Sequence, residues 1–119
     1  MASDLQAVLD ELQARLAPEK RRTDYLPSIL MNLPRIECAD GFSMSVQACS
    51  LMYCSPRNND GPWHQVEIGF PSAKVEALME YAENPDRPTQ TVYGWVPIKV
   101  VAQIILDHGG FARARAPAA

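Results

Sequence analysis

The fold this sequence predicts is α+β, a small antiparallel sheet covered by about three helices in a single domain, and three observations predict it. Phe42 to Ala48 and His64 to Phe70 alternate apolar and polar residues, the period-two signature of strands that bury one face. The run Ser55-Pro56-Arg57-Asn58-Asn59-Asp60-Gly61-Pro62 between them is almost wholly turn-forming, as expected of a loop joining two antiparallel strands. Strands and helices do not alternate regularly as in a doubly wound fold, so a sheet covered on one side by helices is the economical architecture. At 119 residues and 47% hydrophobic content, the chain can close one core and has no length for a second domain.

Residues 1 to 17 form an N-terminal amphipathic helix: Ser3 and Gln6 fit a capping box, and Leu5, Val8, Leu9, Leu12 and Leu16 recur on one face. Pro18 ends it, because the residue before a proline is pushed out of the helical region. Residues 18 to 34 read as a connector with one helical turn, carrying Lys20, Arg21 and Arg22 and then the apolar stretch Tyr25 to Leu33. The α+β core spans residues 35 to 111. Arg35 to Cys38 is a brief strand and Asp40-Gly41 a tight turn into the next, where Phe42, Met44, Val46 and Ala48 face the core. Leu51 and Tyr53 fall on the opposite parity, which calls for a bulge near Cys49 or cover on both faces.

Pro71 closes the second long strand, and Ser72 is placed to cap a helix bearing Val75, Leu78, Met79 and Ala82. Glu83 to Gln90 is polar and twice interrupted by proline, a surface loop. Thr91 to Val96 is a further strand, followed by Pro97 in the first turn of a final helix with Val100, Val101, Ile104 and Ile105 inward. Gly109 and Gly110 stop that helix, and residues 112 to 119 form a flexible tail.

Several function classes are disfavoured by composition. The longest aliphatic run, Val100 to Leu106, is broken by Gln103 and falls far short of the roughly 18 to 20 apolar residues of a membrane span. The start of the chain lacks the basic and apolar blocks of a secretory signal, so the cytoplasm is the expected compartment. Cys38, Cys49 and Cys54 are then expected as reduced thiols. A formal net charge of −3 argues against tight nonspecific binding to nucleic acid, which is driven by basic surfaces. Any nucleotide recognition must be local.

Cys54 and His64 flank the turn-rich loop, and strand pairing could bring a thiol and an imidazole together for nucleophilic catalysis. The plainer reading is a small buried cysteine and a strand-edge histidine. Cys49, Cys54 and His64 match structural zinc spacing poorly, so no metal is expected. His108 before two glycines suits a helix C-terminus, where a positive imidazole meets the dipole. Neither a phosphate-binding glycine loop nor a nucleophile elbow occurs, and no catalytic residue or cofactor is assigned. What remains is Arg57 and Asn59 on an amide-rich loop, near Tyr53 and Trp63 in sequence, with Tyr93 and Trp95 further along. A guanidinium fork suits phosphate and aromatic planes suit bases, so these six are the candidate ligand-binding residues. The alternative is that Arg57 is solvated, Trp63 anchors the strand start, and Tyr93 and Trp95 pack the sheet, as strand aromatics do.

The phrases Ile36-Glu-Cys-Ala-Asp-Gly-Phe-Ser-Met-Ser-Val-Gln-Ala48, Tyr53-Cys-Ser-Pro-Arg57, Val66-Glu-Ile-Gly-Phe-Pro-Ser72 and Thr91-Val-Tyr-Gly-Trp-Val-Pro97 through His108-Gly-Gly110 resemble small phage and prophage proteins over residues 33 to 111. The chain is also similar to the anti-Thoeris sponge family, whose members trap cyclic nucleotide signals in pockets between subunits. That resemblance implies a homo-oligomeric counter-defence protein of the bacterial host cytoplasm that sequesters a cyclic nucleotide without catalysis. The family's ligand residues do not align here one by one, so the six candidates rest on their chemistry. The alternative is a protein-binding inhibitor of a host defence complex, anti-CRISPR-like, with an acidic surface including Asp4, Asp10 and Glu11. A Cys54/His64 enzyme is the third reading.

Overall fold

The computed structural model describes residues 4–17, 33–49, 52–56 and 61–113. In chain order these form helix α1 (Asp4–Leu16), strands β1 (Ile36–Glu37), β2 (Ser43–Gln47) and β3 (Gln65–Gly69), a 3-10 helix (Glu76–Tyr81), strand β4 (Val92–Pro97) and helix α2 (Ile98–Asp107). The strands make one antiparallel sheet in the order β1-β2-β3-β4, so the fold is the expected α+β sheet with helices on one face.

Period-two alternation decides which side of the sheet is dry. Met44 and Val46 of β2, Val66 and Ile68 of β3, and Tyr93 and Val96 of β4 are buried together with Val8, Leu12 and Leu16 of α1 and Val101, Ala102 and Ile105 of α2. The β1–β2 turn closes as Asp40-Gly41 leads one to expect: Cys38 N–H bonds the Phe42 carbonyl at 2.8 Å, Asp40 Oδ1 accepts the Phe42 N–H at 2.9 Å, and Gly41 takes a φ of 96°. The turn-rich loop does join antiparallel segments, since Ser55 bridges Gln65. Its residues 57–60 lie outside the described residues, as do Ser3 of the capping box, residues 18–32 of the connector with Lys20, Arg21 and Arg22, and residues 114–119 of the tail.

Two local expectations are corrected. Ser72 caps no helix; its hydroxyl accepts the Ser43 N–H at 2.9 Å and its own N–H bonds the Ser43 carbonyl at 2.8 Å. The helix that follows is a six-residue 3-10 turn, because Ala82 and Glu83 are drawn into pairing with Tyr93 and Val92 before a full α-helix can form. No bulge is needed at Cys49, since β2 ends at Gln47; the irregularity lies in β4, where Val66 pairs with Val96 but Ile68 pairs with Tyr93.

Both sheet edges are closed by short pairings. The Ala82–Glu83 segment covers β4, and Phe111 and Ala112 pair with Cys38 and Glu37 beside β1. Two glutamines add pairing where no strand continues. Gln47 accepts the Leu33 N–H at 3.0 Å and donates to the Leu33 carbonyl at 3.1 Å, while Gln13 of α1 donates to the Trp63 carbonyl at 2.7 Å and accepts the Trp63 N–H at 3.3 Å. Among the described residues no helix is long and apolar enough to cross a membrane.

The helix ends are tied by charge. His108 caps α2, stacks on Phe42 with ring centroids 4.2 Å apart and meets Asp40 through Nδ1 at 2.6 Å. The Phe42 N–H and the His108 hydrogen bond hold the Asp40 carboxyl below its ordinary 3.8. Burial works to raise Glu11, but hydrogen bonds and charge from Arg113 and Arg15 outweigh it and leave this carboxyl below 4.5. Stability from both groups is therefore fully present above those ordinary values and is lost as pH falls through the lowered folded values. Thermal unfolding followed by circular dichroism should show a melting temperature that drops below about pH 4, and Asp40→Asn should make that drop shallower.

Candidate functional site

The face of the sheet turned away from the helices carries Ser45 of β2, Glu67 and Gly69 of β3, and Val92 and Trp95 of β4, none of them in the hydrophobic core. On β3 this is the polar parity of the same alternation that buries Val66 and Ile68. On β4 the parity is broken. Two residues, Gly94 and Trp95, stand opposite the single Glu67, which is the geometry of a β-bulge and turns Trp95 outward while Tyr93 and Val96 both point into the core. Trp95 holds a φ of 51°, a left-handed conformation that costs an L-residue roughly 1–2 kcal/mol.

The segment 52–54 lies across this bulge. Tyr53 accepts the Trp95 N–H through its carbonyl at 2.9 Å, and its own N–H is near enough to Glu67 to favour that carboxylate's charged form. The two rings stack with centroids 4.9 Å apart at 26°, yet Tyr53 stays 39% and Trp95 47% exposed. Gly94 makes this possible, since a Cβ there would stand 3.2 Å from the Tyr53 Cβ. Phe70 is 51% exposed with a φ of 50°, its carbonyl held by the Arg35 guanidinium at 2.7 Å. Residues 52 and 53 divide the open face into two clefts. One, of about 150 Å³, lies among Met52, Glu67, Gly69, Phe70 and Val92; the other, of about 180 Å³, lies among Tyr53, Tyr81, Glu83, Gly94 and Trp95.

Burial holds the Glu67 carboxyl above its ordinary range, the Tyr53 N–H lowers it in part, and the nearby Glu83 charge raises it again. Among the described residues, neither carboxylate has an ion-pair partner, whereas Glu11 has two.

Of the six residues expected from sequence, Tyr53 and Trp95 come together on this face. Trp63 and Tyr93 do not. Trp63, just before β3, is 1% exposed and clamped by Gln13, and Tyr93 of β4 is fully buried with its hydroxyl donating to the Pro88 carbonyl, so both serve the core. Arg57 and Asn59 lie outside the described residues. Glu67, Glu83, Tyr81 and Gly94 were not anticipated. Glu67 had a signal, its polar parity on β3, but what makes it notable is the bulge opposite, which depends on pairing across strands.

The thiols are occupied structurally. Cys54 is buried and its Sγ donates to the Cys49 carbonyl at 3.1 Å and the Pro56 carbonyl at 3.5 Å, while His64 is exposed at the start of β3 with its N–H on the Ser55 carbonyl. Burial pushes the Cys38 thiol up to about 11, which keeps it protonated at neutral pH. Comparison of the chain with protein-family models, with curated proteins and with solved structures finds no match.

A carboxylate kept from water beside a second carboxylate destabilises the fold. Glu67→Gln keeps an acceptor for the Tyr53 N–H and removes the charge, so it should stabilise the protein by about 0.5–1 kcal/mol near neutral pH. The gain should be full above the raised Glu67 value and vanish below the ordinary 4.5, where the wild-type carboxyl is itself protonated. Urea unfolding at two pH values checks both the sign and the pH dependence.

Proposed function

We propose that this chain is a non-catalytic binding protein whose partner docks on the open face of the sheet at Tyr53 and Trp95. One observation carries the reading: a strained, exposed tryptophan stacked on a tyrosine stands beside a carboxyl held above its ordinary range. Local costs to stability of this kind gather where a surface is kept for recognition. The phrase-level resemblance to phage and prophage proteins supports a counter-defence role in a bacterial host.

Size and charge favour a protein partner. The clefts, about 150 and 180 Å³, fall below the roughly 300–1,000 Å³ that enclose a small-molecule ligand. Among the described residues, Glu67 and Glu83 line them and no lysine or arginine does, an unfavourable setting for a phosphodiester. Exposed Trp and Tyr are the residue types that anchor protein interfaces, and Phe70 extends the same patch. An inhibitor of a host defence complex is the form this function takes.

Sequestration of a cyclic nucleotide is the second reading, favoured by the stacked Tyr53–Trp95 pair with Arg57 only four positions beyond Tyr53. One set of measurements separates the two. Immobilised wild-type chain should retain a single stoichiometric partner from host lysate, and Trp95→Ala, folded by its melting curve, should weaken that complex about 30-fold or more, the loss of a central anchor. Retention unchanged in Trp95→Ala would move the docking face elsewhere. Micromolar calorimetric binding of a cyclic nucleotide, weakened about ten- to a hundredfold by Arg57→Ala, would establish the second reading instead.

A further inference from the structure

We infer that the cleft between Tyr53, Tyr81 and Trp95 receives the guanidinium of one arginine side chain on the protein partner. The inference rests on the docking reading above and names the chemistry at its centre.

Three aromatic side chains, one carboxylate, Glu83, and Gly94, against which Tyr53 packs, border this cleft. Aromatic rings present negative faces, and a cation placed against them is attracted by the ring quadrupole, more strongly as water is excluded. Glu67 adds a second carboxylate beside the Tyr53 backbone N–H. Glu67 is half-buried and Glu83 exposed, and among the described residues neither is paired with a cation. No cation among the described residues serves this cleft, which leaves it open to a positive charge from a docking partner.

Shape distinguishes arginine from other cations. The guanidinium is planar, stacks on an aromatic face and offers a fork of N–H donors matched to a carboxylate, so it can lie against Trp95 while bonding Glu83. An ammonium is a compact, strongly hydrated point charge that gains less from a flat wall. At about 180 Å³ the cleft takes a single side-chain head group.

The full chain, labelled with nitrogen-15, is titrated with N-acetyl-arginine amide, N-acetyl-lysine amide and N-acetyl-citrulline amide, the last a neutral planar isostere. The indole N–H resonances of Trp95 and of buried Trp63 are followed. Arginine should shift Trp95 saturably and leave Trp63 still; lysine should bind more weakly, and citrulline at least about tenfold more weakly, for want of a charge-assisted bond. Glu83→Gln, an exposed change whose melting temperature should match wild type, should weaken arginine binding about tenfold. Equal binding of citrulline and arginine overturns the inference, as does a Trp95 resonance unmoved by arginine at tens of millimolar. If arginine is silent while Trp95→Ala still abolishes partner capture, the docking face stands and only its charge specificity falls. If Trp95→Ala also leaves capture intact, both readings fall.

Discussion

The extra residue in β4 opposite Glu67 is the constraint on which the open face depends. In an unbroken strand, Tyr93 inward would place Trp95 inward and Val96 outward. With Gly94 and Trp95 sharing one partner position, Tyr93 and Val96 both reach the core and Trp95 is turned out. The exposed ring and the buried valine thus have a single cause.

From that bulge the neighbouring chemistry follows. Trp95 donates its N–H outward to the Tyr53 carbonyl, which lays residues 52–54 over the sheet, and Gly94 leaves room for the tyrosine. The covered carboxylate is Glu67, the residue standing opposite the bulge. Position in the ladder rather than any sequence motif determines which acid is desolvated. On the other side of the sheet the same β4 leads without a loop into α2, whose first N–H bonds the His64 carbonyl at 2.8 Å.

Local patterning made much of the fold legible. The Phe42, Met44, Val46, Ala48 alternation, the Asp40-Gly41 turn and the glycine stop after His108 all depend on neighbours close in sequence, and each is present. Ser72 misled because a hydroxyl can bond any nearby N–H, and the one it meets belongs to Ser43, 29 residues away. The site was half legible for a related reason. Tyr53 and Trp95 stood out as aromatics, but so did Trp63 and Tyr93, and residue type does not tell a ring stacked on the surface from one filling the core. The register that separates Trp95 from Tyr93, and brings Glu67 to both, is a property of strands paired across the sheet.

Gln13 and Gln47 carry a consequence of their own. Each uses its amide as a substitute peptide unit, giving a hydrogen to one backbone carbonyl and taking one from the N–H of the same residue. Glutamate has almost the same outline, yet an ionised carboxylate can only accept. At either position it would aim an oxygen at the carbonyl of Trp63 or Leu33 and turn half of a matched pair into a clash of lone pairs. A substitution conservative in shape is thus excluded by the direction of a hydrogen, and polarity rather than volume governs what these two sites can hold.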